Sequence, residues 1–166
     1  MKGLPDFLFS EVSSSKRIAI VGVGNELCGD DAAGMYFADL LFKKASSAGI
    51  SPERLLILRG STAPENQTGA IRKFAPELLF FVDAAFMETT PGSVALLPEN
   101  MIDGLSFSTH MLPLTMTIDY LRLDLRCKIY VIGIQPASTE QGVPMSDAVK
   151  KSASLLADYF VDAIKK

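Results

Sequence analysis

The sequence predicts an α/β fold, a three-layer α/β/α sandwich around a twisted, mostly parallel sheet, and three observations predict it. Short apolar runs rich in β-branched and aromatic residues recur at 17–23, 55–58, 78–82 and 128–134. Such runs mark strands buried on both faces, as parallel strands are. Amphipathic stretches of helical length lie between and after them, so the alternation calls for right-handed crossovers that cover both faces of one sheet. Finally, 166 residues with an apolar fraction of 48 % supply one core and are too few for two.

Residues 1–16 read as an amino-terminal arm and 17–166 as a single domain. Phe7, Leu8 and Phe9 are apolar enough to dock on the domain or on a partner, and the sequence does not choose. The run Arg17-Ile-Ala-Ile-Val-Gly-Val23 is the first strand. A helix is expected over 31–44, with Phe37, Leu40, Leu41 and Phe42 on its apolar side. Residues 55–58 form a second strand. Thr62-Ala-Pro-Glu65 has the form of a capping box with Pro64 in the first turn, opening a short helix towards Phe74. The run 78–82, Leu-Leu-Phe-Phe-Val, is the third buried strand and ends at Asp83. Pro91-Gly92 turns the chain into a shorter strand, 93–97, expected to return antiparallel along the sheet edge. Residues 114–125 look helical, and 128–134 are a last buried strand stopped by Gln135-Pro136. A long helix over 145–164 carries Val149, Ala153, Leu156, Phe160 and Ile164 on one stripe.

Composition excludes several classes of function. A net charge of −3 without a long basic run argues against nucleic acid as a partner, since that affinity rests on clustered Lys and Arg. No apolar run approaches the ~20 residues of a membrane helix. The start, Met1-Lys-Gly-Leu-Pro-Asp6, places an acid and a proline where a signal peptide would be apolar. Cys28 and Cys127 are far apart and form no Cys-x-x-Cys pair, so neither a disulfide framework nor a thiolate metal site is indicated. A cytoplasmic, monomeric protein is expected.

In folds of this kind ligands bind beyond the carboxyl ends of the parallel strands. Three segments arrive there with polar residues that buried strands do not need: Gly22-Val-Gly-Asn-Glu-Leu-Cys-Gly-Asp-Asp31, Asp83, and Ser108-Thr-His110 with the only histidine of the chain. The glycine loop opens like a dinucleotide fingerprint, but Leu27 stands where its third glycine should be. Asp30 and Asp31 also occupy the helix start that a pyrophosphate would need, and two carboxylates attract a cation instead. Capping suffices to explain Asp30; a second acid beside it leaves Asp31 for other work. Asp83 alone reads as a strand-end aspartate bonding nearby amides, and His110 alone as an ordinary loop histidine. Together, two carboxylates and an imidazole on separate loops make an O, O, N set suited to zinc, manganese or nickel.

The chain resembles the hydrogenase maturation endopeptidases, which remove a carboxyl-terminal peptide from the hydrogenase large subunit once nickel has been inserted. The resemblance runs from about Ile18 to the last helix. It is carried in order by the 22–31 loop, Ser61-Thr-Ala-Pro-Glu-Asn66, Val82-Asp83-Ala84, Thr109-His110-Met-Leu-Pro-Leu114 and Gly133-Ile-Gln-Pro136. Its longer pieces look most like the branch serving hydrogenase 3 and energy-converting hydrogenases. It implies an α/β/α sandwich, the large-subunit precursor as partner, and Asp31, Asp83 and His110 as metal-contacting catalytic residues. Nickel would then come with the substrate, leaving room for another divalent ion in the isolated protein. One departure is Arg59, where relatives of this kind often carry an aspartate.

The mechanism this implies is metal-assisted hydrolysis at a three-ligand site with open positions. It is not that of a His-Glu-x-x-His metalloprotease, a motif absent here. Two rivals are a Cys28-dependent thiol hydrolase, with His110 nearby, and a nickel-sensing chaperone that binds the precursor without cutting it. Against the first, Cys28 reads more simply as a small loop hydrophobe.

Overall fold

The computed structural model describes residues 3–98 and 111–166. Its five-stranded sheet has the order β2-β1-β3-β5-β4. Strands β1 (Ile18–Val23), β2 (Leu55–Ser61), β3 (Leu78–Ala84) and β5 (Lys128–Ile134) are parallel, and β4 (Val94–Leu97) returns antiparallel along β5 at the edge. The predicted class and the antiparallel edge strand are both present. Alternation along the strands explains the layers, because successive side chains point to opposite faces. Ile18, Ile20, Leu78, Phe80, Val82, Ile132 and Ile134 face one buried cluster, while Ala19, Val21, Val23, Leu79, Phe81 and Val131 face the other.

The first cluster is covered by helices α1 (Leu4–Ser14), α2 (Ala33–Ser47) and α5 (Asp147–Ile164). The stripe Val149, Ala153, Leu156, Phe160 and Ile164 is buried throughout, as its spacing predicts. The second cluster is covered by α3 (Thr68–Phe74), through Ile71, and α4 (Met111–Asp124), through Leu114, Ile118 and Leu121. Helix α1 answers the question left open for the start of the chain, because it packs on the domain. Leu4, Leu8 and Val12, one turn apart, are buried against the core that α5 also covers. Phe7 meets Tyr130 edge-to-face at 4.9 Å, and Glu11 reaches Lys128 of β5 at 2.8 Å. No helix among the described residues is long and apolar enough to cross a membrane.

Helix α2 approaches the sheet unusually closely. A Cβ on Gly34 would collide with the carbonyl oxygens of Val82 and Val23, and one on Gly22 with the Gly34 carbonyl. Only glycine at both positions lets helix backbone rest on strand backbone.

Local expectations fail at three points. The box at Thr62 and Glu65 does not form: a 3-10 turn, Pro64–Gln67, starts there with Ala63 at its cap position and no side-chain cap bond. Pro64 does occupy the first turn, where its missing N–H costs nothing. Phe42, expected on the apolar side of α2, is 62 % exposed because one residue past Leu41 it lies about 100° round the helix from the Phe37–Leu41 seam. Strand β2 also continues past Leu58 and through Arg59 to Ser61, held by its ladder to β1.

Candidate active site

Strands β1 and β3 are neighbours, with Gly22 level with Val82, so their carboxyl ends open at the same edge of the sheet. Asp83 lies one residue further on, still within β3 and level with Gly133 of β5. Its side chain is 1 % exposed, and Oδ1 accepts the Ala84 N–H at 2.8 Å. The short backbone bond expected of a strand-end aspartate is therefore present. Ionised oxygens sunk this deep are stable only where they are bonded or opposite a cation.

Asp31 reaches the same edge by another route. After β1 the chain folds back at Gly24, whose φ of 140° and contact with the Asp31 carbonyl leave no room for a side chain. A 3-10 turn, Gly29–Ala32, then leads into α2. Asp31 is 7 % exposed; its Oδ2 accepts the Asn25 N–H at 3.1 Å, and its own N–H donates to the Cys28 carbonyl at 2.9 Å. Because Gly34, three residues on, rests on Val23 and Val82, the start of α2 is fixed over the ends of β1 and β3. The fold thus brings Asp31 and Asp83 to one edge.

His110 lies outside the described residues. Among those described, no three His, Cys, Asp or Glu side chains are grouped closely enough to hold a metal ion. Cys28 is half-buried at the head of the 3-10 turn.

Asp30 does not cap its own helix. Neither the 3-10 turn nor α2 carries a side-chain cap bond. The Asp30 carboxylate, 1 % exposed, turns instead to the loop after β5 and accepts the N–H groups of Ser146 at 2.6 Å and Ala137 at 2.7 Å. Gln135, at the end of β5, is buried in the same way, and its Oε1 accepts the Met87 N–H at 2.6 Å. Sequence reasoning assigned neither residue this part. For Gln135 the available signal was a polar amide placed directly after the buried run Val131-Ile-Gly-Ile134 of β5.

Arg59 sits at the side of this edge, where β2 passes level with Gly22. Its guanidinium bridges Glu26 of the glycine loop, at 2.7 Å, and Asp39 of α2. The two carboxylates, Asp39 first, push its already high pKa further up, so it stays charged at any working pH.

Comparison with known proteins shows the family of the chain. Residues 41–163 match the family model described as HycI, hydrogenase maturation protease. The chain is 34 % identical over 129 residues to the hydrogenase 3 maturation protease of Escherichia coli, covering 77 % of this chain and 78 % of that protein. The crystal structure of a [NiFe] hydrogenase maturation protease, HycI, from Thermococcus kodakarensis superposes with a TM-score of 0.84 at 31 % identity, covering 96 % of this chain and 99 % of that one. The hydrogenase maturating endopeptidase HybD of Escherichia coli follows with a TM-score of 0.74 at 25 % identity over 90 % and 92 %. On the matched span and the likeness of whole chains, this protein belongs to the hydrogenase maturation protease family.

Proposed function

We propose that the protein cuts the carboxyl-terminal peptide from the nickel-loaded large-subunit precursor of a nickel–iron hydrogenase, with Asp31, Asp83 and His110 as the groups that meet the metal. The observation that carries this reading is the pair of buried aspartates, Asp31 and Asp83, at the same edge of the sheet. Two carboxylates with little solvent around them form a negative site that favours a divalent ion or a positively charged group. Hydrolysis consumes one water: its oxygen bonds to the scissile carbonyl carbon, the C–N bond breaks, and the departing amine gains the proton. Nickel held by the precursor would polarise that carbonyl or acidify the water. Asp31 and Asp83 would orient the ion, and a carboxylate not taken up by metal could accept the water's proton.

The test is to mix the protein with nickel-loaded precursor and look for the released tail by mass spectrometry. Asp31→Asn and Asp83→Asn should each abolish release while the variants remain folded by circular dichroism. Nickel-free precursor should stay intact even with excess enzyme. A shared metal contributing about 3–4 kcal/mol would favour loaded precursor by two to three orders of magnitude. Full cleavage by both Asn variants, or efficient cleavage of nickel-free precursor, would end this reading. Binding of loaded precursor with no tail released would favour the chaperone instead.

A further inference from the structure

We propose that Asp30 and Gln135 are positioning residues for hydrolysis, acting through the 135–146 loop as a clasp over the two segments that carry Asp31 and Asp83. The proposal rests on the reading of those two aspartates given above.

The clasp is built from bonds between segments far apart in sequence. On one side, Asp30 Oδ1 accepts the Ser146 N–H at 2.6 Å, and Oδ2 accepts the Ala137 N–H at 2.7 Å and the Ser146 hydroxyl at 2.9 Å. The Asp30 N–H donates to the Ser138 carbonyl at 2.9 Å, and the Leu27 carbonyl accepts the Gly142 N–H at 2.8 Å. On the other side, Gln135 Oε1 accepts the N–H groups of Met87 at 2.6 Å and Thr89 at 3.4 Å, while its Nε2 donates to the Pro136 carbonyl at 3.1 Å. The Gln135 backbone also bonds Ser93 and Gly92, at 2.8 Å each. One loop therefore grips the chain just before Asp31 and just after Asp83.

Simple helix capping needs none of these cross-chain bonds. A carboxylate at 1 % exposure is costly to bury, and charge-assisted bonds to several donors are what offset that cost. The connection to Asp31 is direct, because a trans peptide fixes neighbouring Cα atoms at about 3.8 Å. Where Asp30 is held, Asp31 is held. The donors around Asp30 also make its charge specific: an amide there would aim an N–H₂ at an N–H in either orientation.

The experiment compares Asp30→Asn, Gln135→Met and Asp83→Asn with a control, Leu8→Ala, which loses packing on α1 away from the strand ends. Each is assayed on nickel-loaded precursor at a temperature where it is folded, with hydrogen exchange followed by mass spectrometry. The expected result is a fall in kcat of about tenfold or more with KM within about twofold, as misplacement of reacting groups produces. Exchange should quicken at 24–31 in Asp30→Asn and at 85–93 in Gln135→Met, while α5 stays protected. If Asp30→Asn does not fold, Ser146→Ala replaces it, removing the hydroxyl's bonds to Asp30 and to the Val149 N–H at the start of α5 while keeping the Ser146 N–H on Asp30. Exchange at 24–31 is then read in place of that at the start of α5. A kcat no lower than that of Leu8→Ala overturns the proposal. Full activity in Asp83→Asn overturns the reading beneath it, a separate outcome.

Discussion

Arg59 shows how one side chain can join three elements, since its guanidinium holds Glu26 of the glycine loop and Asp39 of α2 from a position on β2. All three groups are about half exposed, so the pairs are screened and contribute modestly. Arg59→Ala is expected to cost no more than about 1 kcal/mol by urea denaturation. Arg59→Asp should cost more, because it gathers three carboxylates where one cation stood, and the excess should shrink as salt rises. An excess that ignores salt would mean the cost is packing, not charge. At this scale the placement of Asp31 and Asp83 at the carboxyl ends of β1 and β3 was legible, because each follows, directly or across the glycine loop, an apolar run that ends there. The partners of Asp30 were not, because Ala137 and Ser146 lie more than a hundred positions away and capping explained the residue locally. The capping box at Thr62 misled for a related reason: its spacing was right, but the turn starting at Pro64 tightened to 3-10 geometry and took no side-chain cap.

Among the elements, α1 departs furthest from what its sequence declared. Proline in its first turn, an acid at Asp6 and apolar residues at Leu4, Leu8 and Val12 are all present. Eleven residues are nevertheless too few to be helical alone, so the helix depends on the face it covers. Leu8 is fully buried there, and Leu8→Ala should cost about 2–4 kcal/mol in chemical denaturation while leaving cleavage per folded molecule unchanged. A cost under about 0.5 kcal/mol would show that α1 is only loosely docked. The strands were easier to read. Each buried run kept its identity whatever its neighbours did, and the period-two split of the two clusters follows directly from the order of residues. The close seating of α2 was not readable, because Gly22 and Gly34 acquire their meaning only when β1, β3 and the helix are brought together.

In the whole molecule, the two ends of the sheet carry different features. The carboxyl ends of the strands carry Asp31, Asp83 and the clasp, and Ser146 leads α5 away from that edge. At the other end α5 finishes, and the Lys166 ammonium lies 4.6 Å from the centre of the Phe9 ring in the middle of α1. Phe9 is five residues beyond the first residue of α1, about 7.5 Å along a helix. A glycine–serine link from the end of α5 to the start of α1 has to run back along α1 from Phe9 to Leu4, so about a dozen flexible residues are needed to span it. The turn at Gly49 joins α2 to β2 far from the aspartates, and nothing lies within 4 Å of a Cβ placed there. A circular permutant opened at Gly49 and closed through that link should fold and cut loaded precursor at close to the parent rate, whereas one opened at Gly142 would sever the clasp and should not. The order in which the chain is synthesised would then be separable from the order in which the site is assembled, making the fold a ring that can be entered at a point of choice.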